Sequence, residues 1–253
     1  MSQRPWNVLV ACEESQAVTR AIRSRGHNAF SCDLQECTGG RPDWHFKGDV
    51  FQILEQGGGK LQNGEEFKMK GKKWDLMIAH PPCTYLAVSG ARWMYDPKSK
   101  GIPNRNPRDH AHPRFPTRWK DQEDAIKFVK ALAQSTRFAD RIVIENPVSV
   151  LSSDKNLGKP DQIVHPWQFG HEATKATCLW YVGDVPHLEA TNIVGKGERV
   201  VFKSGKSQPK WYSDALKAKT TEERRTLRSK TFEGIARAMA ETWTPELGVV
   251  EAG

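Results

Sequence analysis

Two short apolar runs joined by one amphipathic helix constrain this chain more than any other part of it. Asn7 to Cys12 (NVLVAC) reads as a buried strand and Asn28 to Leu34 (NAFSCDL) as a second. Between them, Ala17, Val18, Ala21 and Ile22 share one helical face from Gln16 to Arg25, and Gly26 is a C-terminal stop. Ser15 is placed to cap that helix. So short a strand–helix–strand unit implies parallel strands joined by a right-handed crossover.

The alternation continues. A run from Phe46 ends in Gly48-Asp49-Val50, and Trp74 to Ala79 (WDLMIA) is a core strand that runs into His80-Pro81-Pro82-Cys83. Asp121 to Gln134 reads as a helix with Ala125, Ile126, Val129 and Leu132 inward. Arg141 to Ile144 is a further strand, ending in Glu145-Asn146-Pro147. The fold class expected is α/β, a mostly parallel sheet flanked by helices. Gly57 to Lys73, with GGGK and KMKGKK, reads as a mobile insertion. Gly90 to Lys120, rich in proline and arginine, reads as a long loop of the functional or disordered kind. Lys175 to Val182 suits an antiparallel strand, and Thr231 to Trp243 a closing helix.

The net charge of +8 favours a polyanionic partner. Its excess is concentrated: Lys196 to Lys230 holds eleven Lys or Arg against four Asp or Glu. That stretch is either a solvated segment or a phosphate-contacting surface. No apolar run is long enough for a membrane span, so no membrane partner is expected, and no secretory signal is expected either. Five unevenly spaced cysteines argue for thiols and a cytoplasmic setting. Cys32 and Cys37, with His27 and His45 nearby, lack the paired spacing of structural zinc, so no metal is expected.

Ligands of parallel sheets bind beyond the carboxyl ends of the strands. Four such ends carry chemistry here: ACEES, CDL, HPPC and ENP. Asp33 stands where dinucleotide folds hold ribose hydroxyls, yet the first turn lacks G-x-G-x-x-G, which suggests a nucleoside without a diphosphate. A turn or capping acid is the other reading of Asp33. Cys83, behind two stiffening prolines, is either a rigidly held nucleophile or a small buried hydrophobe. His80 lies on the same stiff segment and is poorly placed as its base. Glu145 is either a surface acid tied to a turn or an inward carboxyl at the mouth of a core strand. In the second case desolvation raises its pKa and suits it to share a proton with a ring nitrogen.

Together these residues resemble the DNA (cytosine-5) methyltransferases, and more closely the short phage-encoded proteins of that kind. The matching pieces are Pro81-Pro82-Cys83, Glu145-Asn146-Pro147 (Glu-Asn-Val is usual in the family), Asp33, Gly48-Asp49-Val50 and the closing KTFEGIARAMA, in the family's order. The resemblance implies a Rossmann-like methyltransferase fold in three parts. Residues 1–183 would be the S-adenosylmethionine-binding catalytic domain, 184–230 a short basic DNA-contacting segment, and 231–253 a closing helix. It implies Cys83 as the nucleophile at cytosine C6, Glu145 as the partner of ring N3, and Lys175 on the cytosine carbonyl, although a surface lysine reads equally well there. S-adenosylmethionine would be held by Cys12, Glu13, Ser15, Asp33, Leu34, Asp49, Val50, Pro81, Thr231 and Phe232. Double-stranded DNA would meet Arg92, Arg105, Arg108, Arg114 and Arg118 on a closing loop, and Lys203, Lys206 and Lys210 on the basic segment. The target base would be flipped out of the duplex.

The family's first motif is glycine-rich; here it is Ala11-Cys12-Glu13-Glu14-Ser15. The family's large recognition region is absent, which points to a short or degenerate target sequence. A monomer is expected. The competing readings are a C5 transferase acting on a free cytidine nucleotide, and a DNA-binding homologue without catalysis.

Overall fold

The computed structural model describes residues 4–71, 73–220, 223 and 231–247. Seven strands form the central sheet: β1 (Asn7–Ala11), β2 (Asn28–Asp33), β3 (His45–Lys47), β6 (Trp74–Ala79), β7 (Ala139–Pro147), β8 (Gln162–Val164) and β9 (Thr177–Val182). Their order is β3-β2-β1-β6-β7-β9-β8. The five strands from β3 to β7 are mutually parallel, and β9 is antiparallel to both its neighbours. A mostly parallel α/β sheet flanked by helices is therefore what the chain forms, compatible with a Rossmann-like fold.

Side chains along each strand alternate between two layers, because the strand period is two. Leu9, Ala11, Phe30, Met77, Ile142 and Ile144 face one layer, covered by α2 (Val50–Gln56) and α3 (Arg118–Ala133). Val8, Val10, Ala29, Leu76, Ile78 and Val143 face the other, covered by α1 (Ala17–Arg23) and α5 (Glu233–Trp243). Every residue of β6 is buried, as expected of a strand between two parallel neighbours and two helical layers.

Three expectations change. Residues 57–69 are not a loose insertion: β4 (Gly58–Lys60) and β5 (Glu66–Lys68) form a hairpin. The Phe67 ring lies 4.1 Å from that of Phe30, and Leu61 and Met69 are buried. The apolar residues lie between lysines, which hid them in the sequence. Lys72 lies outside the described residues. The 90–120 segment is likewise folded. Tyr95 bridges to Ala111, and the Trp93 ring stands 5.2 Å from His112 and 5.5 Å from Phe115. Finally, β7 does not stop at Ile144. It continues through Glu145 and Asn146, which pair with Leu179 and Cys178 of β9.

The basic segment doubles back on the fold. It carries a hairpin of β10 (Arg199–Val201) and β11 (Ser207–Pro209), then α4 (Lys210–Ala215). Trp211 Nε1 donates to Thr174 O at 3.1 Å. Residues 221–222 and 224–230 of the basic stretch, and 248–253 of the closing part, lie outside the described residues.

Candidate active site at the carboxyl edge of the sheet

Register brings the sequence's strand-end motifs onto one edge. Ala11 pairs with Ala79 and with Cys32, and Ala79 pairs with Ile144. The residues that follow, Cys12, Asp33, His80 and Glu145, therefore stand side by side at this edge, Asp33 as the last residue of β2 and Glu145 still paired within β7. The order of strands reverses between β1 and β6, where crevices of such sheets form.

One end of this edge is built by β6 and β7. His80 Nδ1 lies 2.9 Å from Glu145 Oε2, with the two side chains 11% and 13% exposed. Burial opposes charge on both and is the largest single effect on each. Their hydrogen bond and mutual attraction together outweigh it. His80 is held above the usual imidazole range and Glu145 below the usual carboxylate range, with Lys175 adding to the latter. This reverses the expected upward shift of Glu145. Desolvation is present as anticipated, but a cation on the next strand overrides it. Lys175 thus acts on the same pair, although it precedes β9 and is not part of that strand.

Asn146 couples the two motifs. Only 1% exposed, its Nδ2 donates to Pro81 O at 2.9 Å. Beyond the prolines, the Cys83 carbonyl accepts from Leu86 N at 3.1 Å and Ala87 N at 2.9 Å, so Cys83 opens a tight turn. Fully buried Leu86 anchors that turn, and Val88 N and Leu86 O bond to the chain after β7. In the sequence Asn146 stands only as a member of the Glu145-Asn146-Pro147 motif, with no role of its own. Its place beside Pro81 follows from the β6–β7 register.

The other end is built by β1, β2 and the start of α2. Cys12 has φ 58, in the region that favours glycine, at the turn where the resemblance looks for glycines. Burial, with help from Asp33, pushes its thiol up to about 12. Glu13 is not a ligand-facing acid. Its buried carboxylate accepts from Val18 N (2.6 Å), Thr19 N (3.2 Å) and Thr19 Oγ1 (2.6 Å). It therefore does the capping expected of Ser15, from further back along the chain. Ser15 instead packs under Gly39, where a Cβ would fall 2.5 Å from Ser15 O.

Asp33 Oδ1 accepts from Gln35 N at 2.9 Å, and Oδ2 has no protein partner among the described residues. Asp49 caps α2 in the same manner, through Oδ1 to Phe51 N at 2.9 Å. Leu34 is 76% exposed beside Asp33. Two carboxylates with an oxygen to spare, next to an exposed apolar side chain, fit the hydroxyls and ring of a nucleoside. Val50, by contrast, is buried in the core as the first residue of α2 and offers no open wall. Pro81 is buried and touches the site through its carbonyl. Thr231 is half-buried, and the ring of its neighbour Phe232 stands 5.3 Å from His171 and 6.1 Å from Trp211. Lys175 Nζ lies 5.9 Å over that ring, so Phe232 groups with Lys175.

The arginines of the 90–120 segment divide. Arg118 is a brace, not a phosphate contact. It is 8% exposed, and its Nη2 donates to Thr84 O at 2.8 Å beneath Gly90. The Cys83 turn thus rests on it. Arg108 pairs with Glu123 at 3.0 Å, and Arg105 donates to Ser99 Oγ at 3.2 Å over the Tyr95 ring. Arg92 and Arg114 are exposed, each against a neighbouring ring. Lys203 and Lys206 are exposed at the β10–β11 turn, and Lys210 pairs with Glu198. None of the sheet-edge residues lines the cleft of about 480 Å³ between α1, α5 and Phe169–His171. No protein-family model matches the chain, and no curated protein matches its sequence.

Proposed function

We propose that this chain transfers a methyl group from S-adenosylmethionine to carbon 5 of cytosine in double-stranded DNA. The observation that carries the reading is the joining of two motifs. The Pro81-Pro82-Cys83 turn and the Glu145-bearing strand lie on adjacent parallel strands, clamped by the Asn146–Pro81 hydrogen bond. A nucleophile for ring carbon 6 and an acid–base group for ring N3 need such a fixed relation, because both must address one planar ring at once.

In this mechanism Cys83 adds as thiolate to C6, and the electron pair of the C5–C6 bond becomes available at C5. Glu145 compensates at N3 the charge that addition creates. Lys175, close enough to bias Glu145, suits the ring carbonyl. Once C5 carries the methyl group, loss of its proton restores the C5=C6 double bond and expels the Cys83 thiolate. S-adenosylmethionine, when bound, supplies an electrophilic methyl group. The residues suited to hold it are Asp33 for the ribose hydroxyls, and Asp49 and Leu34 for the adenine. The exposed Arg92, Arg114, Lys203 and Lys206 suit phosphate contacts.

The test is nucleoside mass spectrometry of plasmid DNA from cells without native cytosine methylation. Expression of the chain is expected to yield 5-methylcytosine, and expression of Cys83→Ala none. Absence of 5-methylcytosine in both, with both proteins folded, overturns the assignment.

A further inference from the structure

The histidines beside the sheet differ in how their ring nitrogens are used. His45 bonds at both, to Ser31 Oγ at 2.8 Å and Gln35 O at 2.9 Å. His27 also bonds at both, to Trp6 N at 3.2 Å and Pro245 O at 3.0 Å. Those rings bridge two parts of the fold, the ordinary structural use of a buried imidazole. His80 does not. Its backbone N–H is tied to Ala11 O at 2.9 Å, which fixes the residue at the end of β6. Among the described residues its ring makes a single hydrogen bond, to Glu145 Oε2, and its buried Nε2 has no partner. The second oxygen of Glu145, Oε1, has no protein partner among the described residues. The arrangement is an open-ended chain: imidazole, carboxylate, then an acceptor site with nothing bound by the protein.

We propose that His80 is the proton source behind Glu145 in the reaction on the cytosine ring. This inference rests on the proposed function. Glu145 starts as the carboxylate; as Cys83 adds to C6, the Nδ1 proton of the imidazolium passes to Glu145, and the carboxyl so formed gives a proton to ring N3 and returns to the carboxylate. The net change is one proton from His80 to the ring, with neutral imidazole left behind. When the thiol is expelled, N3 returns the proton along the same path and no external acid is consumed. Among the described residues the His80 ring hydrogen-bonds only to Glu145, so it is a positioning and proton-supplying residue, not a catalytic one. Three charged groups face it: Glu145 from β7, Glu13 from the β1–α1 turn, and Lys175 from the segment before β9. Glu13 and Glu145 favour the imidazolium and Lys175 disfavours it.

The experiment follows exchange of the C5 hydrogen of cytosine in tritium-labelled duplex DNA, without a methyl donor. After reversible addition at C6, C5 takes a proton from water and loses its triton before the thiol is expelled, so the assay reads the addition that His80 assists without the methyl-transfer step. The wild-type chain is expected to release tritium and Cys83→Ser is not. His80→Asn keeps a hydrogen-bond donor to Oε2 but no transferable proton. It is expected to slow exchange about 100-fold, the usual lower range for losing an acid–base group. It should also remove the fall in exchange rate that the wild type shows as His80 deprotonates at alkaline pH. An unchanged rate and pH profile in folded His80→Asn overturns the proposal and leaves the Cys83 assignment standing. No exchange by wild type overturns both. A readout that needs no variant of His80 is the NMR titration of its ring in the wild-type chain. A midpoint above that of an ordinary histidine, falling in Glu145→Gln, is expected. A midpoint at or below the ordinary value overturns the proposal.

Discussion

Asn146 offers a direct test of how the two motifs are held together. The residue is 1% exposed, and among the described residues its side chain makes one hydrogen bond, from Nδ2 to Pro81 O. Its Oδ1 is already buried without a partner among the described residues. Asn146→Ala strands the Pro81 carbonyl, at about 1–3 kcal/mol, but also deletes the unpartnered Oδ1, which offsets part of that. A net loss of about 1–2 kcal/mol is expected. Asn146→Asp is different. It replaces the donor by an acceptor and places a carboxylate against a carbonyl oxygen. The neighbouring residue Glu145 takes His80 on the opposite side of the strand, so that imidazole does not serve the new charge. An unpaired buried charge costs about 3–5 kcal/mol. The Asp variant should therefore be the less stable by about 2 kcal/mol at pH 7, read as urea midpoints by tryptophan fluorescence. The introduced carboxyl has a folded-state pKa above its unfolded value of about 3.9. Its penalty is complete above the folded pKa and is relieved as pH falls towards about 4, so the two variants converge there. Equal stability of the two at pH 7 would refute the account of Asn146 as an obligatory donor. Both variants should also lose about 100-fold or more in activity, because the Cys83 turn is no longer held to β7.

Three further outcomes follow from the packing. Glu13→Ala should cost about 2–4 kcal/mol in urea unfolding, since it frees three donors at the start of α1, whereas Ser15→Ala should fall within about 0.5 kcal/mol of wild type. Phe67→Ala should cost about 2–4 kcal/mol by the same measurement, and no loss would mean that the hairpin is the mobile insertion its composition suggests. The stability difference between wild type and Glu145→Gln should be greatest between about pH 4.3 and pH 6.5. Glu145, depressed in the fold, loses its contribution as pH falls through its folded pKa. His80, raised in the fold, loses its contribution as pH rises through its own. A difference independent of pH from 4 to 9 would mean that the pair is not ionised.

The strands and their edge are local matters, and the chain states them locally. Runs such as NVLVA and WDLMIA are long enough to bury and too short to be anything but strands, and the residues following them must leave at the carboxyl edge. That is why Cys83, Asp33 and Glu145 could be named as candidates before any coordinates, and why β9 could be read as antiparallel. The partners of those residues are set by register between strands far apart in the chain, which no local pattern encodes. Only the pairing of β6 with β7 puts His80 beside Glu145 and Asn146 beside Pro81, and so turns an acid expected to hold its proton into one held ionised. The same long-range packing buried Arg118 under Gly90 and set half-buried Phe67 against Phe30, two side chains whose polar surroundings in sequence pointed to solvent. Strand by strand, hydrophobic period determined where the chemistry emerges; which charges face one another there was decided by the tertiary fold, because Coulomb energy depends on distance in space.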